Sequence, residues 1–438
     1  MFDVRERTDA LEAKLRAEGM TKYAVDVGET EKHELNTEDT SFVLYRTLFD
    51  QSAAVTVFRG TRKGTASGND LSDAGLDKLV ADAISGAESA MEDDANDIAE
   101  NQGKHVFHNG PETPDMDALY ARMEEFIGTV TRDFPQIRLS QNIAVYTRSH
   151  SLYRNSNGSD LESFDGSYDI GLEFAGNDGE RTTGLAYTSV SLHDLDTPII
   201  DHGMVRRSLE DTQKSLHVYP LTEKFTGPVI FTPDALGYFT WMLIGNFMSD
   251  EVVMAGTSQW LDRVGEKVAS DKVTLRLQAK DDRLVASEPW TDDGYLSEDL
   301  TLIEKGVLNR HLLSLYAAKK TGREVAKNTS SAFVMESGET PLAEMIKGID
   351  KGLIVGGFSG GEPGANGEFS GVAKNSFYVE NGEIRGAVME TMINGNLQDI
   401  FSKVSAVSKE LVSDGSSAFP YLKADGIVIS GSSGADEI

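Results

Sequence analysis

Apolar residues recur along this chain at two spacings. Residues 4–18 hold Leu11 and Leu15 four apart and predict a helix that stops at Gly19. Residues 41–47 and 53–59 are rich in Val, Leu, Tyr and Phe and predict strands, with a turn over 60–64. Asn69-Asp70 is placed as the cap of a helix whose stripe is Leu76, Leu79, Val80, Ala83 and Ile84. The acidic run 91–101 reads as a linker. Residues 115–132 predict another helix, with Leu119, Met123, Phe126, Ile127 and Val130 on one face and Pro135 ending it. From 137 to 192 the period becomes two. Apolar runs there alternate with Asn157-Gly158, Asp165-Gly166 and Asn177-Asp178-Gly179, which predicts an antiparallel meander. A helix over 204–217 follows, and Pro220 closes this half.

The second half starts with an apolar strand at 227–231. Pro233-Asp234 then opens the run ALGYFTWMLIGNFM, residues 235–248, which has no charged side chain in a chain where 26% of residues are charged. Asp234 is placed as its N-cap, and a helix apolar all round is expected to be buried. Strands are predicted at 273–277, 300–304, 353–355, 372–379 and 384–392, and a helix at 314–320. Glu380-Asn381-Gly382-Glu383 is a hairpin turn. Residues 396–411 read as a helix with Leu397, Ile400, Phe401, Val404 and Val407 inward, and 430–438 as a disordered tail. Strands and helices interleave without regular βαβ alternation. The class is therefore α+β, a two-domain chain (1–220 and 221–438, with a linker near 91–112) of largely antiparallel or mixed sheets flanked by helices.

Composition narrows the chemistry. The net charge is −30, so phosphate backbones and anionic lipid heads are repelled, and neither a nucleic acid nor a membrane is expected as partner. The absence of cysteine excludes disulfides, thiolate nucleophiles and Cys-zinc sites. The charged first residues do not read as a signal peptide, and the uncharged run is shorter than the roughly 20 residues a bilayer needs. A cytoplasmic protein is expected.

Local motifs are weak. The glycine-rich segment 356–364 lacks the lysine of a phosphate-binding loop and reads as a flexible connection lining a cleft. His105 and His108 lie in a strand end or loop without a carboxylate motif beside them. Asp281-Asp282 and Asp292-Asp293 read as solvated turns. No Gly-x-Ser-x-Gly stands at a strand–helix junction.

Longer patterns are more specific. Gly256-Thr257-Ser258, Val264-Gly265 and Val268-Ala269-Ser270 are followed by Asp293-Gly294 and Gly306-Val307-Leu308. Then come Phe369-Ser370-Gly371-Val372-Ala373, Glu380-Asn381-Gly382-Glu383-Ile384 and Gly395-Asn396-Leu397. Through these the second half resembles the TldD/PmbA family, the "modulator of DNA gyrase" proteins classed with metallopeptidases. Asp70-Leu71-Ser72 and the strand meander extend a looser likeness into the first half.

The resemblance implies a helix that, in catalytic members, carries His-Glu-x-x-x-His for zinc and water activation, with a late Cys completing the site. Counted from Gly256-Thr257-Ser258, those positions are Trp241, Met242 and Asn246 here, with Gly245 kept as the residue expected to let the helix distort. Asp414 falls near the Cys position. The resemblance therefore implies the PmbA/TldE branch, with no catalytic residue, no metal ligand and no zinc in this chain. It further implies a non-catalytic subunit of a heteromeric zinc peptidase, paired with a TldD-like subunit that carries His-Glu-x-x-x-His and acting on unfolded peptides. The alternatives are a stand-alone homodimeric peptide- or protein-binding module and, ranked third, an enzyme with a relocated non-metal site. Asn246, Gly357, Ser359, Gly360 and Gly361 are the expected peptide-binding positions, where a peptide would add as a strand.

Overall fold

The computed structural model describes residues 3–285 and 288–432. The first half runs α1 (Val4–Ala17), β1 (Tyr23–Glu38), β2 (Ser41–Arg59), β3 (Arg62–Gly68), α2 (Asp73–Ser89), β4 (Lys104–Asn109), α3 (Met116–Asp133), β5 (Ile137–Leu139), β6 (Gln141–Asn155), β7 (Asp160–Gly176), β8 (Ala186–Leu192) and α4 (Val205–Lys214). The second runs β9 (Lys224–Phe231), α5 (Pro233–Phe247), α6 (Asp250–Met254), β10 (Leu275–Leu277), β11 (Leu300–Glu304), β12 (Val307–Leu308), α7 (Leu315–Thr321), β13 (Phe333–Met335) and α8 (Leu342–Lys347). It ends with β14 (Lys351–Val355), β15 (Gly357–Gly360), β16 (Glu368–Lys374), β17 (Ser376–Glu380), β18 (Glu383–Val388), β19 (Met392–Asn396), α9 (Leu397–Ser402), β20 (Val404–Ser413) and β21 (Ala418–Ser430).

The fold is α+β. Among the described residues, β1–β8 form one sheet in the order β3-β2-β1-β6-β7-β4, with β5 and β8 also on β7. It is antiparallel except for β4, which runs parallel to β7. The apolar stripes of α1 and α2 pack on Val25, Val27, Val55 and Val57, and α3 packs on β6 and β7 around Tyr146 and Phe174. Strands β9–β21 form a second, mixed sheet centred on β21 and β9. Its core gathers around α5, where Phe231, Phe239, Met242, Phe247, Trp260 and Phe401 are all buried. No helix among the described residues is long and apolar enough to cross a membrane.

Several expected boundaries move. The cap of α2 is Ser72, whose hydroxyl accepts from the Gly75 amide, while Asp70 caps Ser72 instead. Thr232 caps α5, with Pro233 at the first position and Asp234 inside the first turn. Asp165-Gly166 is no turn but lies within β7. A Cβ on Gly166 would stand 1.8 Å from the Pro111 carbonyl oxygen, so the glycine serves a close strand–loop approach. The helix expected over 396–411 stops at Ser402, and β20 follows. Bulges within β20 between Val404 and Ala406 and between Val407 and Leu411 let two valines three apart both face the core. That spacing imitates a helix in sequence. The strand expected over 372–379 breaks at Asn375, which takes a positive φ of 48°. The predicted turn at Asn381-Gly382 forms, with both residues at positive φ as a type I′ hairpin requires. Residues 433–438 of the expected tail lie outside the described residues.

The run 91–101 has no helix or strand yet is clamped between the halves. Asp93 pairs with Lys320, Asp97 with Lys22 and Lys319, and the Ala99 amide donates to the Asp293 carbonyl. A second clamp is the turn after β20. The Ser191 amide donates to the Asp414 carbonyl at 2.7 Å and Val285 to that of Gly415 at 2.6 Å. Gly415 has φ +89°, and a Cβ there would meet the Ser191 carbonyl oxygen at 1.9 Å. Gly415→Ala is expected to lower the urea midpoint, by about 1–2 kcal/mol from the left-handed backbone alone and further from the clash.

Candidate functional site

Helix α5 forms because its fifteen residues carry a side-chain cap, a proline at the first position and no β-branched run. Its inner face is Leu236, Phe239, Met242, Leu243 and Phe247. The expectation of burial all round fails on the opposite face: Tyr238 is 38% and Trp241 56% exposed. These two rings stack at 6.1 Å and form one wall of a cavity of about 450 Å³ between the halves. Strand β8 supplies Tyr187, Thr188 and Ser189 opposite; Asp234, Phe333, Phe419 and the turn residues Asp414, Ser416 and Ser417 are also in the lining. The site is thus aromatic and acidic, with no lysine or arginine among its lining residues.

Trp241 and Asp414, remote in sequence, line this same cavity. Met242 does not, being 2% exposed within the core. Asn246 is turned the other way, and its amide nitrogen donates to the Gly364 carbonyl at 3.2 Å. Helix α5 passes through Gly245 as unbroken α-helix, so the expected distortion is absent. Positions five apart on such a helix point about 140° from one another. That is why Trp241 and Asn246 diverge.

Zinc does not fit these residues. Indole offers no ligand, the Met242 thioether is shut in the core, and the Asn246 amide is engaged. The Asp414 carboxylate already accepts from the Ser416 and Ser417 amides, both at 2.8 Å, and from the Ser416 hydroxyl. Among the described residues no three His, Asp or Glu side chains converge as metal ligands. His105 and His108 lie on β4, where residues three apart face opposite sides; one bonds the Gln102 carbonyl, the other Glu112.

The glycine-rich segment is more ordered than expected. Residues 357–360 form β15, which pairs with β16, and Asn246 ties the loop beyond it to α5. Gly360 and Gly371 stand opposite each other, and a Cβ on either would meet the Phe358 ring at 2.6 or 2.5 Å. The two glycines make room for that ring, which packs on Phe239 and Phe369 and approaches Tyr238. Gly361 has open space around it, while Ser359 is exposed and Gly357 half-buried. Among the described residues β15 pairs with β16 alone, so its outer edge is free beside the Tyr238 end of the cavity.

Local reasoning missed Tyr187, Tyr238 and Phe419 as lining residues. Tyr238 and Asp234 lie three and seven positions before Trp241, a helical-face spacing that was available. Tyr187 comes from the other sheet and carries no local signal. Asp234 stands at the cavity mouth, open to water. Its carboxyl is pushed up to about 6, first by surrounding protein that displaces solvent and then by the Asp414 charge; water access at the mouth limits the effect.

A raised folded-state pKa favours the protonated form, so any stabilisation from Asp234 is present below pH 4 and lost as pH rises through about 6. Relative to Asp234→Asn, the native chain is expected to lose stability between those values in paired urea titrations. Asp414→Asn is expected to move the Asp234 carboxyl resonance midpoint downward in an NMR titration.

Comparison with known proteins follows the same two halves. Residues 224–431 match the PmbA/TldA metallopeptidase C-terminal domain and residues 23–87 match PmbA/TldA metallopeptidase domain 1, together more than half of the chain. The metalloprotease PmbA of Escherichia coli O157:H7 is 25% identical over 402 residues, 86% of each chain. The crystal structure of TldE from Thermococcus kodakarensis superposes with a TM-score of 0.85 at 21% identity, covering 96% of this chain and all of that one. A proposed modulator of a DNA gyrase from Thermotoga maritima gives 0.79 at 20% identity, with 98% and 100% covered. These last two show a shared fold.

Proposed function

The chain belongs to the PmbA/TldD metallopeptidase family, and on that premise we propose that it is a non-catalytic subunit that holds unfolded peptide beside a metal-bearing, TldD-like subunit. The observation that carries this is the aromatic face that α5 turns to the cavity, at positions where the resemblance implies metal ligands. Trp241 occupies the cavity position where a ligand would stand, and Met242 seals the core behind it. Aromatic rings facing water at a domain junction suit apolar side chains and peptide backbone, which lose little by leaving water there. The free edge of β15, with Ser359 on it and Gly361 just beyond its end, lets an extended segment add as a strand beside Tyr238. Nothing in the cavity supplies a nucleophile–base pair: the Ser416 hydroxyl donates to Asp414, and no histidine lines the wall.

The test is purification with and without a TldD-like partner, followed by zinc analysis and a cleavage assay on casein. Cleavage is expected only with the partner. Stoichiometric zinc on this chain alone, or cleavage by it alone, overturns the proposal. The triple variant Trp241→His, Met242→Glu, Asn246→His is expected to gain neither zinc nor activity. The carboxylate it introduces at position 242 would be buried without a partner, at a cost of several kcal/mol that a denaturant melt reads. Trp241→Ala is expected to weaken binding of an unfolded peptide about tenfold or more, measured by fluorescence anisotropy of the labelled peptide.

A further inference from the structure

The cavity between the halves is lined by two negative charges and no positive one. Asp234, Tyr238 and Trp241 stand at i, i+4 and i+7 on α5, so one helix face presents a carboxylate at the mouth and then two stacked rings. Asp414 enters from the turn after β20. Among the described residues no hydrogen bond or ion pair holds the Asp234 carboxylate. The hydrogen bonds to the Asp414 carboxylate all fall on Oδ1, which leaves Oδ2 without a donor among the described residues. Surrounding protein first, and the Asp414 charge second, push the Asp234 carboxyl up to about 6, although the first turn of a helix normally favours a negative charge. The pair lacks a counter-charge.

The walls decide which kind of cation fits. A metal ion needs several oxygen ligands converging on one point, and among the described residues no three His, Asp or Glu side chains do so. The lining is instead rich in rings, with Tyr187, Tyr238, Trp241, Phe333 and Phe419 all facing the cavity. Ring faces attract an organic cation and cover the apolar stem that carries it. The volume of about 450 Å³ lies within the roughly 300–1,000 Å³ of small-ligand sites, enough for one long side chain.

We propose that this cavity selects peptides by a cationic group, a guanidinium or ammonium carried by the peptide, seated on the Tyr238–Trp241 face with Asp234 and Asp414 as its counter-charges. For peptides this rests on the reading that the cavity holds unfolded chain, and it adds which chains are held. Asp234 is the specificity-determining residue, since its carboxylate is wholly unengaged and open to the mouth. An acidic side chain is repelled by the same two carboxylates.

The net charge of −30 attracts any cation in a general way, so the test separates the site from that background. Labelled unfolded peptides of one otherwise neutral sequence carry arginine, its neutral isostere citrulline or glutamate at one central position, with the amino terminus free or acetylated. Fluorescence anisotropy is expected to show the arginine peptide binding about tenfold more tightly than the citrulline peptide, with glutamate weakest. Asp234→Asn is expected to erase the arginine preference and leave the citrulline peptide unaffected. Glu124→Gln, which removes the same charge from an exposed position on α3, is expected to leave the preference intact. A preference that follows the free amino terminus, and is lost in Asp234→Asn, assigns the terminal ammonium to the same site. No preference of either kind, a preference untouched by Asp234→Asn, or an equal loss in Glu124→Gln overturns the proposal. Equal binding of all the peptides, with loss in Trp241→Ala, sinks the charge selection and leaves the peptide-holding reading intact. The opposite failure is separated by a probe with no peptide chain. N-acetyl-arginine methylamide is expected to lower the Asp234 carboxyl midpoint in an NMR titration, and its citrulline counterpart to leave it unmoved. That shift without binding of any unfolded peptide keeps the cation site and removes the peptide reading, whereas no shift overturns the proposal.

Discussion

The second half depends on the burial of α5. Its inner face meets β9, β21 and the rings of Phe231, Trp260, Phe369 and Phe401, and each fully buried large side chain there contributes on the order of 1.5–3 kcal/mol. Such a helix cannot also carry an inward charged group without losing several kcal/mol. The packing of the core and the chemistry of the cleft are therefore one constraint. Met242 serves the core, so position 242 offers no carboxylate to the cleft.

The same helix sets the cleft through its outer face. Tyr238 and Trp241 are one turn apart, so they stack and present a continuous aromatic wall to β8 of the other sheet. The opposing side is held by backbone hydrogen bonds from Ser191 and Val285 to the Asp414-Gly415 turn. Asp414 is spent on that turn: its carboxylate organises the following amides, and only its charge reaches Asp234. The Asp414 side chain is thus a structural cap whose charge also acts on its neighbour.

Much of the fold was legible in the chain. The stripes of α1, α2 and α3, the meander of β6, β7 and β8 and the hairpin at Asn381-Gly382 follow from periodicity and turn chemistry. The misreadings have particular causes. Val404 and Val407 imitate a helical stripe because β20 is bulged, and Gly166 imitates a turn because Pro111 approaches β7 closely. Caps slipped by two residues at α2 and α5, since Ser72 and Asp70, or Thr232 and Asp234, are both chemically able to cap and only the chain path chooses between them.

By itself the sequence determined that α5 is largely apolar, that positions 241, 242 and 246 carry neither imidazole nor carboxylate, and that no thiolate exists. Those are properties of side-chain chemistry, which no fold can alter. The tertiary structure decided which side of α5 meets water, and that Trp241 and Asp414 share a cavity while Asn246 turns to the glycine-rich loop. Such facts depend on residues more than a hundred positions apart meeting across two sheets, and a local pattern of period two or 3.6 carries no information about that meeting.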